Sequence, residues 1–237
     1  MEEKRIYKEV ADFDFNRVEE ELNSQEVDKI VDGILSTVFD SGNYELSLQT
    51  VLRFVEHPEE RVRAISRLSF GHMARIFRRL ELEKALPHLI TGLEENGSAV
   101  EFQSEIALKD ISVFIRFDSY DGKQELKSVK SIEASQVIIA LYKIIAHETD
   151  FSVIKKACCL GFKHSSKAVR LVSTFGTWRM SGQILEKELL HTITTIKRGL
   201  KINDPYVQEN LAVAVSTLRY VVETIEQELK IKKKDIA

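Results

Sequence analysis

Three prolines and ten glycines are all that interrupt 237 residues. That is too few turn-formers for a β-rich chain that reverses every few residues. Two cysteines, adjacent at Cys158 and Cys159, provide neither a disulfide framework nor a set of sulfur ligands for a metal. Both are expected to be reduced, buried core thiols in a reducing compartment. No apolar run approaches the ~20 residues that span a bilayer, so no membrane segment is expected. The opening MEEKRIYKEV lacks the apolar stretch of a secretory signal, and a cytoplasmic location is the expectation. There is no glycine-rich phosphate loop: Gly161, Gly176, Gly182 and Gly199 stand alone. No serine sits in a nucleophile elbow, and the one His-Glu pair, His147-Glu148, falls short of the several convergent ligands a metal needs. No catalytic residue, metal ligand or cofactor is therefore assigned.

What is present is regular. Apolar residues make up 43% and charged residues 30%, a balance that suits a soluble globular chain. The charge is unevenly spread. Residues 1–60 hold 16 acidic against 6 basic side chains, whereas 121–237 hold 13 against 19. Such a gradient can orient a charged partner.

Four segments share one register, anchored on Val62, Val100, Val169 and Val207. Seven residues on lie Ser69, Ala107, Gly176 and Ala214, all small; eleven on lie Met73, Ile111, Met180 and Leu218, all large. Eleven before the anchor come Val51, Leu89, Cys158 and Ile196, and seven before it Val55, Leu93, Phe162 and Leu200. Two of the intervals are 38 residues. A repeat near this length, with two helical patterns per unit, predicts an all-α fold: an α-α superhelix of stacked helix pairs. Small residues recurring at one position let the second helix approach its neighbours closely. Ser24 reads as an N-cap and Asp40-Ser41-Gly42-Asn43 as a turn. Between the second and third units the spacing is longer by 31 residues, with a polar stretch at 118–123 and a helical pattern from Ala134 to Ala146. We expect one domain over 1–237, irregular at about 118–148.

His57-Pro58-Glu59-Glu60-Arg61-Val62-Arg63, Ala168-Val169-Arg170 and Asp204-Pro205-Tyr206-Val207 resemble the turn into the second helix of HEAT and HEAT-like repeats. The likeness covers roughly residues 44–117 and 150–222. In that family an arginine after the valine links neighbouring repeats through a carboxylate. It is present as Arg63 and Arg170 but replaced by Glu101 and Gln208, so the resemblance implies an incomplete ladder. It is specific for fold and says little of function.

The resemblance implies a non-catalytic, protein-binding solenoid. Its most concrete form is an immunity protein that neutralises a cognate bacterial toxin, because an acidic face suits a basic toxin domain. A general scaffold or adaptor is one alternative. A HEAT-like DNA glycosylase, or another nucleic-acid-binding protein, is the other, and Lys155, Lys156, Lys163, Lys167, Arg170, Lys197, Arg198 and Lys201 make the second half basic enough to raise it. In such an array the second helices line the concave surface. The positions five, nine and twelve after the anchor are expected to face outward. They supply Arg67, Glu105, Lys109, Trp178 and Arg219, with Arg75 and Tyr220 beside them, as the candidate binding row. A second candidate is the acidic edge around Asp28, Asp32 and Glu45.

Overall fold

The computed structural model describes residues 13–181, with side chains described to residue 176. Within them the chain is all-α, with no strand, and its helices pack in adjacent pairs. They are α1 (Phe15–Leu22), α2 (Val27–Asp40), α3 (Tyr44–Phe54), α4 (Glu60–Phe77), α5 (Leu82–Gly92), α6 (Ala99–Phe114), α7 (Gly122–Ser128), α8 (Ala134–His147), α9 (Phe151–Gly161) and α10 (Lys167–Ser181). Short polar side chains set several of the starts. Asp14, Asn43, Ser98, Asp121 and Asp150 each accept a backbone N–H of the first turn, satisfying donors the helix leaves open. Ser24 does not cap α2 as expected. The cap is Glu26, whose N–H donates to Ser24 Oγ at 3.0 Å.

The repeat register is the core. Val62, Val100 and Val169 are fully buried, as are Ser69 and Ala107 seven residues on, and Gly176 is buried too. Met73 and Ile111 lie under the same pairs, as do Val51, Leu89 and Cys158 and then Val55, Leu93 and Phe162. The copy anchored at Val207, together with Met180, lies outside the described side chains. Four residues after each described anchor is a serine. Ser66, Ser104 and Ser173 donate their hydroxyls to the anchor carbonyls at 2.9, 2.7 and 2.8 Å. This bond satisfies a buried hydroxyl without a cross-helix partner, so the helix face stays small. In two units a glycine ends the first helix opposite that serine. A Cβ at Gly92 would stand 2.2 Å from Ser104 Oγ, and one at Gly161 2.1 Å from Ser173 Oγ. Gly176 meets Cys158 in the same way, with 2.4 Å between its ideal Cβ and the sulfur.

Second helices also pack on one another, α4 between α2 and α6. At the α4–α6 crossing a Cβ on Gly71 would come 2.9 Å from the Ala107 backbone, so the two helices touch there almost main chain to main chain. The 31 extra residues form α7 and α8. Helix α8 packs against α5, α9 and α10, and the Tyr142 hydroxyl donates to the Leu108 carbonyl at 2.8 Å. The insertion thus extends the layered packing and starts no separate core.

The inter-unit ladder is more complete than the resemblance implied. Arg63 pairs with Glu95 of the next unit at 2.9 Å and donates to the His57 and Pro58 carbonyls. Arg170 repeats the second feature on His164 and Ser165. Glu101, standing where the arginine would be, pairs with Lys167 of the following unit. The link persists with its polarity reversed.

Two predictions follow from this packing. Ala107→Leu and Gly71→Val each place atoms where α4 and α6 already touch, and each is expected to cost about 1–3 kcal/mol. Urea denaturation measures it, and an unchanged midpoint would show the crossing to be slack. The second concerns the thiols. Burial pushes the Cys158 thiol up to about 12, with the neighbouring Cys159 adding to it. Cys159, expected to be buried, is only half-buried, because its side chain lies off the face that holds Cys158. A disulfide reagent should therefore modify Cys159 in the native protein and spare Cys158 from pH 7 to 9. Equal labelling of the two would overturn the assignment of Cys158 to the core.

Candidate partner-binding face

A second helix in this stack has little free surface. One side meets its own first helix, and its flanks meet the neighbouring second helices. Of the positions expected to face outward, five after the anchor is buried in two units, as Arg67 and Thr174. Nine after it is the buried Gly71 in the first unit, and twelve after it is the buried Ala74.

Arg67 is the main correction. It is 1% exposed and points across to α5, not to solvent. Its Nε donates to the His88 carbonyl at 3.0 Å, Nη1 to the Val55 carbonyl at 2.6 Å, and Nη2 to Glu56 at 3.3 Å. Glu95 lies 3.7 Å away. Room for the side chain comes from Gly92, where a Cβ would sit 2.8 Å from Arg67 Cδ and Nε. Burial pulls the guanidinium below its ordinary value, and Glu56 and Glu95 pull it back. It remains charged, since an arginine cannot be deprotonated in a protein. Arg67 is thus a buried strut between units, and its place in the binding row is withdrawn.

The other expected residues divide. Lys109 and Arg75 are exposed and Glu105 is half-exposed. Arg75 Nη2 lies 3.0 Å from His72 Nδ1. Burial holds His72 below its usual value and Arg75 adds to this, with Asp110 opposing. The ring is therefore mostly neutral near pH 7, and Nδ1 can accept the arginine N–H. Asp28, Asp32 and Glu45 are exposed, and Asp28 pairs with Arg61. Trp178, Arg219 and Tyr220 lie outside the described side chains.

The face itself carries something the charged row did not include. Four large apolar side chains are exposed on α2, α4 and α6: Phe39 at 46%, Ile76 at 39%, Phe102 at 59% and Val113 at 64%. Singly they would need no explanation; together on adjacent helices they form a surface feature. Along each helix a stripe of exposed and half-buried residues runs at spacings of three or four: Asp28, Asp32, Leu35, Phe39 on α2; Ile65, Leu68, His72, Ile76 on α4; Phe102, Ile106, Lys109, Val113 on α6. The stripes correspond at intervals of 37 residues, so 28, 65 and 102 match, as do 35, 72 and 109, and 39, 76 and 113. The Phe39 ring lies 4.9 Å from His72, which ties the first two stripes together. Beyond Val113 is a cleft of ≈ 750 Å³ between the ends of α6 and α8, with Val113, Phe117 and Phe175 among its apolar walls and Lys109, Arg116, Asp118 and His147 among its polar ones.

Among the described residues no group of three or more His, Cys, Asp or Glu side chains is placed to hold a metal ion. None of the described helices is long and apolar enough to cross a membrane. No family model matches the chain, and no curated protein matches it in sequence.

Replacing Arg67 by methionine keeps most of the volume but strands the Val55 carbonyl, while the His88 carbonyl keeps the Thr91 hydroxyl as a donor at 3.0 Å. An unfolding free energy lower by about 1–3 kcal/mol is expected, from one unsatisfied buried acceptor. Chemical denaturation tests it: a loss under about 0.5 kcal/mol would mean that water reaches the Val55 carbonyl and the strut is dispensable.

Proposed function

We propose that this chain is a non-catalytic, protein-binding solenoid of HEAT-like helix pairs. The observation that carries the reading is the exposed apolar set Phe39, Ile76, Phe102 and Val113 on three adjacent second helices, bordered by charge. Apolar side chains framed by polar ones are the usual make-up of an interface centre. The repeated turns support the HEAT-like assignment. In both His57–Arg63 and His164–Arg170 the histidine Nδ1 accepts the N–H two residues on, and the arginine donates back to the turn carbonyls.

In its most concrete form the protein is an immunity factor that neutralises a basic toxin domain in the bacterial cytoplasm. The acidic first quarter supports it, with Asp28, Asp32 and Glu45 exposed on α2 and α3. Opposite charge of this kind steers a basic partner to the edge before the apolar face engages. A scaffold or adaptor would use the same face with another partner.

A second reading, a HEAT-like DNA glycosylase, draws on the cleft, where cationic side chains, aromatic walls and the carboxylate of Asp118 meet. It requires salt-dependent DNA binding and release of an alkylated base.

The test is co-expression with the product of the neighbouring gene. Under this proposal that product is toxic alone and harmless with this chain, and the two co-purify. Reversing Asp28 and Asp32 to lysine should weaken the complex at least tenfold, about 1.4 kcal/mol. A neighbouring product that is neither toxic nor bound removes the immunity assignment. Base release from alkylated DNA, lost on changing Asp118 to asparagine, would put the enzyme in its place.

A further inference from the structure

The cleft beyond Val113 has walls from α6, α8, α10 and the segment 115–118 that follows α6. Its apolar lining is part of the core: Ile115, Ile145 and Phe175 are all buried. At ≈ 750 Å³ it lies within the size range of small-molecule sites, roughly 300–1,000 Å³.

The segment 115–118 is tied down on both sides. At its start the Ile115 N–H donates to the Ile111 carbonyl at 3.1 Å. Just past its end the Tyr120 hydroxyl donates to Glu148 Oε2 at 2.6 Å, and the Tyr120 ring stacks on His147 with centroids 5.6 Å apart. Glu148 is itself fixed, since its other oxygen accepts the N–H groups of Thr149 and Asp150 at 2.9 Å each. Phe117 meets the same His147 ring edge-on at 6.4 Å. A wall held this way keeps its side chains in place before any ligand arrives, which lowers the ordering cost of binding.

The charged walls are of both signs, Lys109 and Arg116 against Asp118. The side chains of Arg116 and Asp118 are exposed, and among the described residues neither makes an ion pair or a hydrogen bond. They stand two residues apart, so their Cα atoms are separated by at most about 7 Å. An anionic ligand would leave Asp118 unanswered, and a cationic one would leave Arg116. A small zwitterion answers both at once. Three rings among the walls, Phe117, His147 and Phe175, suit an aromatic group beside its charged head.

We infer that the cleft binds a free α-amino acid with a large apolar side chain. Its carboxylate meets Arg116, its ammonium meets Asp118, and its side chain lies among Val113, Ile145 and Phe175. This small-molecule site goes beyond the protein-binding reading and does not depend on it.

The probe is L-phenylalanine. Isothermal titration calorimetry with the full chain at pH 7 compares it with N-acetyl-L-phenylalanine, which lacks the ammonium, with L-phenylalaninamide, which lacks the carboxylate, and with glycine, which lacks the side chain. L-phenylalanine should bind at least tenfold tighter than each of the three. Arg116→Gln and Asp118→Asn should each weaken it at least tenfold. Lys127→Gln, exposed on α7 and not a wall of the cleft, should change it less than twofold. Both cleft substitutions fall on exposed side chains outside the core, and thermal melts check that the variants fold. Absence of saturable binding by L-phenylalanine would overturn the inference. So would equal affinity for the N-acetyl or amide form, or wild-type affinity in both cleft variants. Tighter binding of an alkylated adenine than of L-phenylalanine would also overturn it and return the cleft to the DNA-glycosylase reading. Failure of the amino-acid site leaves the co-expression test of the immunity reading untouched.

Discussion

The close approach of α4 to α6 is the constraint on which the rest of the structure depends. Gly71 and Ala107 permit it, since a single methyl on Gly71 would already crowd the facing main chain. Once two second helices lie this near, their first helices must fit the remaining space, and that space is tight as well. Gly92 and Gly161 end first helices against Ser104 and Ser173 with no room for a side chain. The three serines that bond back to their own anchor carbonyls follow the same logic. They keep the inner face narrow while satisfying every hydroxyl they bury there. Fixed spacing between second helices in turn sets the period at which exposed side chains can recur.

Arg67 shows what the tight stack does to charge. A guanidinium taken from water is costly, and partly exposed carboxylates alone would not compensate it. Two main-chain carbonyls, Val55 just after α3 and His88 within α5, complete the set. The strut therefore couples three helices of two units, and the Arg63–Glu95 pair beside it closes the same junction from the rim. Farther along, Glu101 and Lys167 hold the next junction. Both pairs are largely shielded from solvent, so salt screens them less than it would an open surface pair. Each links one helix pair to the next across a junction.

The core was legible in the sequence because it repeats. A register that puts valine at the anchor, a small residue at plus seven and a large one at plus eleven states the burial of each position directly, and the described copies obey it. The insertion was legible as a helix at 134–146, since Val137, Ile138, Leu141 and Ile145 keep the period that α8 shows. The exposed face was not. Outward positions were inferred by leaving out the contacts of a helix with its own pair. Contacts between second helices, which bury Gly71 and Ala74, are set by the pitch of the stack, and no single unit encodes that pitch. Arg67 misleads for a related reason. A lone arginine in an apolar pattern normally marks the solvent side, and only the glycine on the next helix, 25 residues on, reveals the hole it fills.

Exposure of Phe39, Ile76 and Val113 has a consequence for how this face was kept. A helix flanked on three sides leaves a stripe of about one residue in four, and that stripe is where solubility is easily secured with charge. The neighbouring positions are in fact charged: Asp32, Arg75, Lys109 and Asp110. Three large apolar residues spaced by 37 stand out against that background. They are not needed by the core, because Val38, Met73 and Ile111 already fill the interior at the same level of the three helices. The residues that hold the helices together and the residues that stripe the surface thus lie on opposite sides of the same helices. The surface is therefore free to vary while the register beneath it stays fixed.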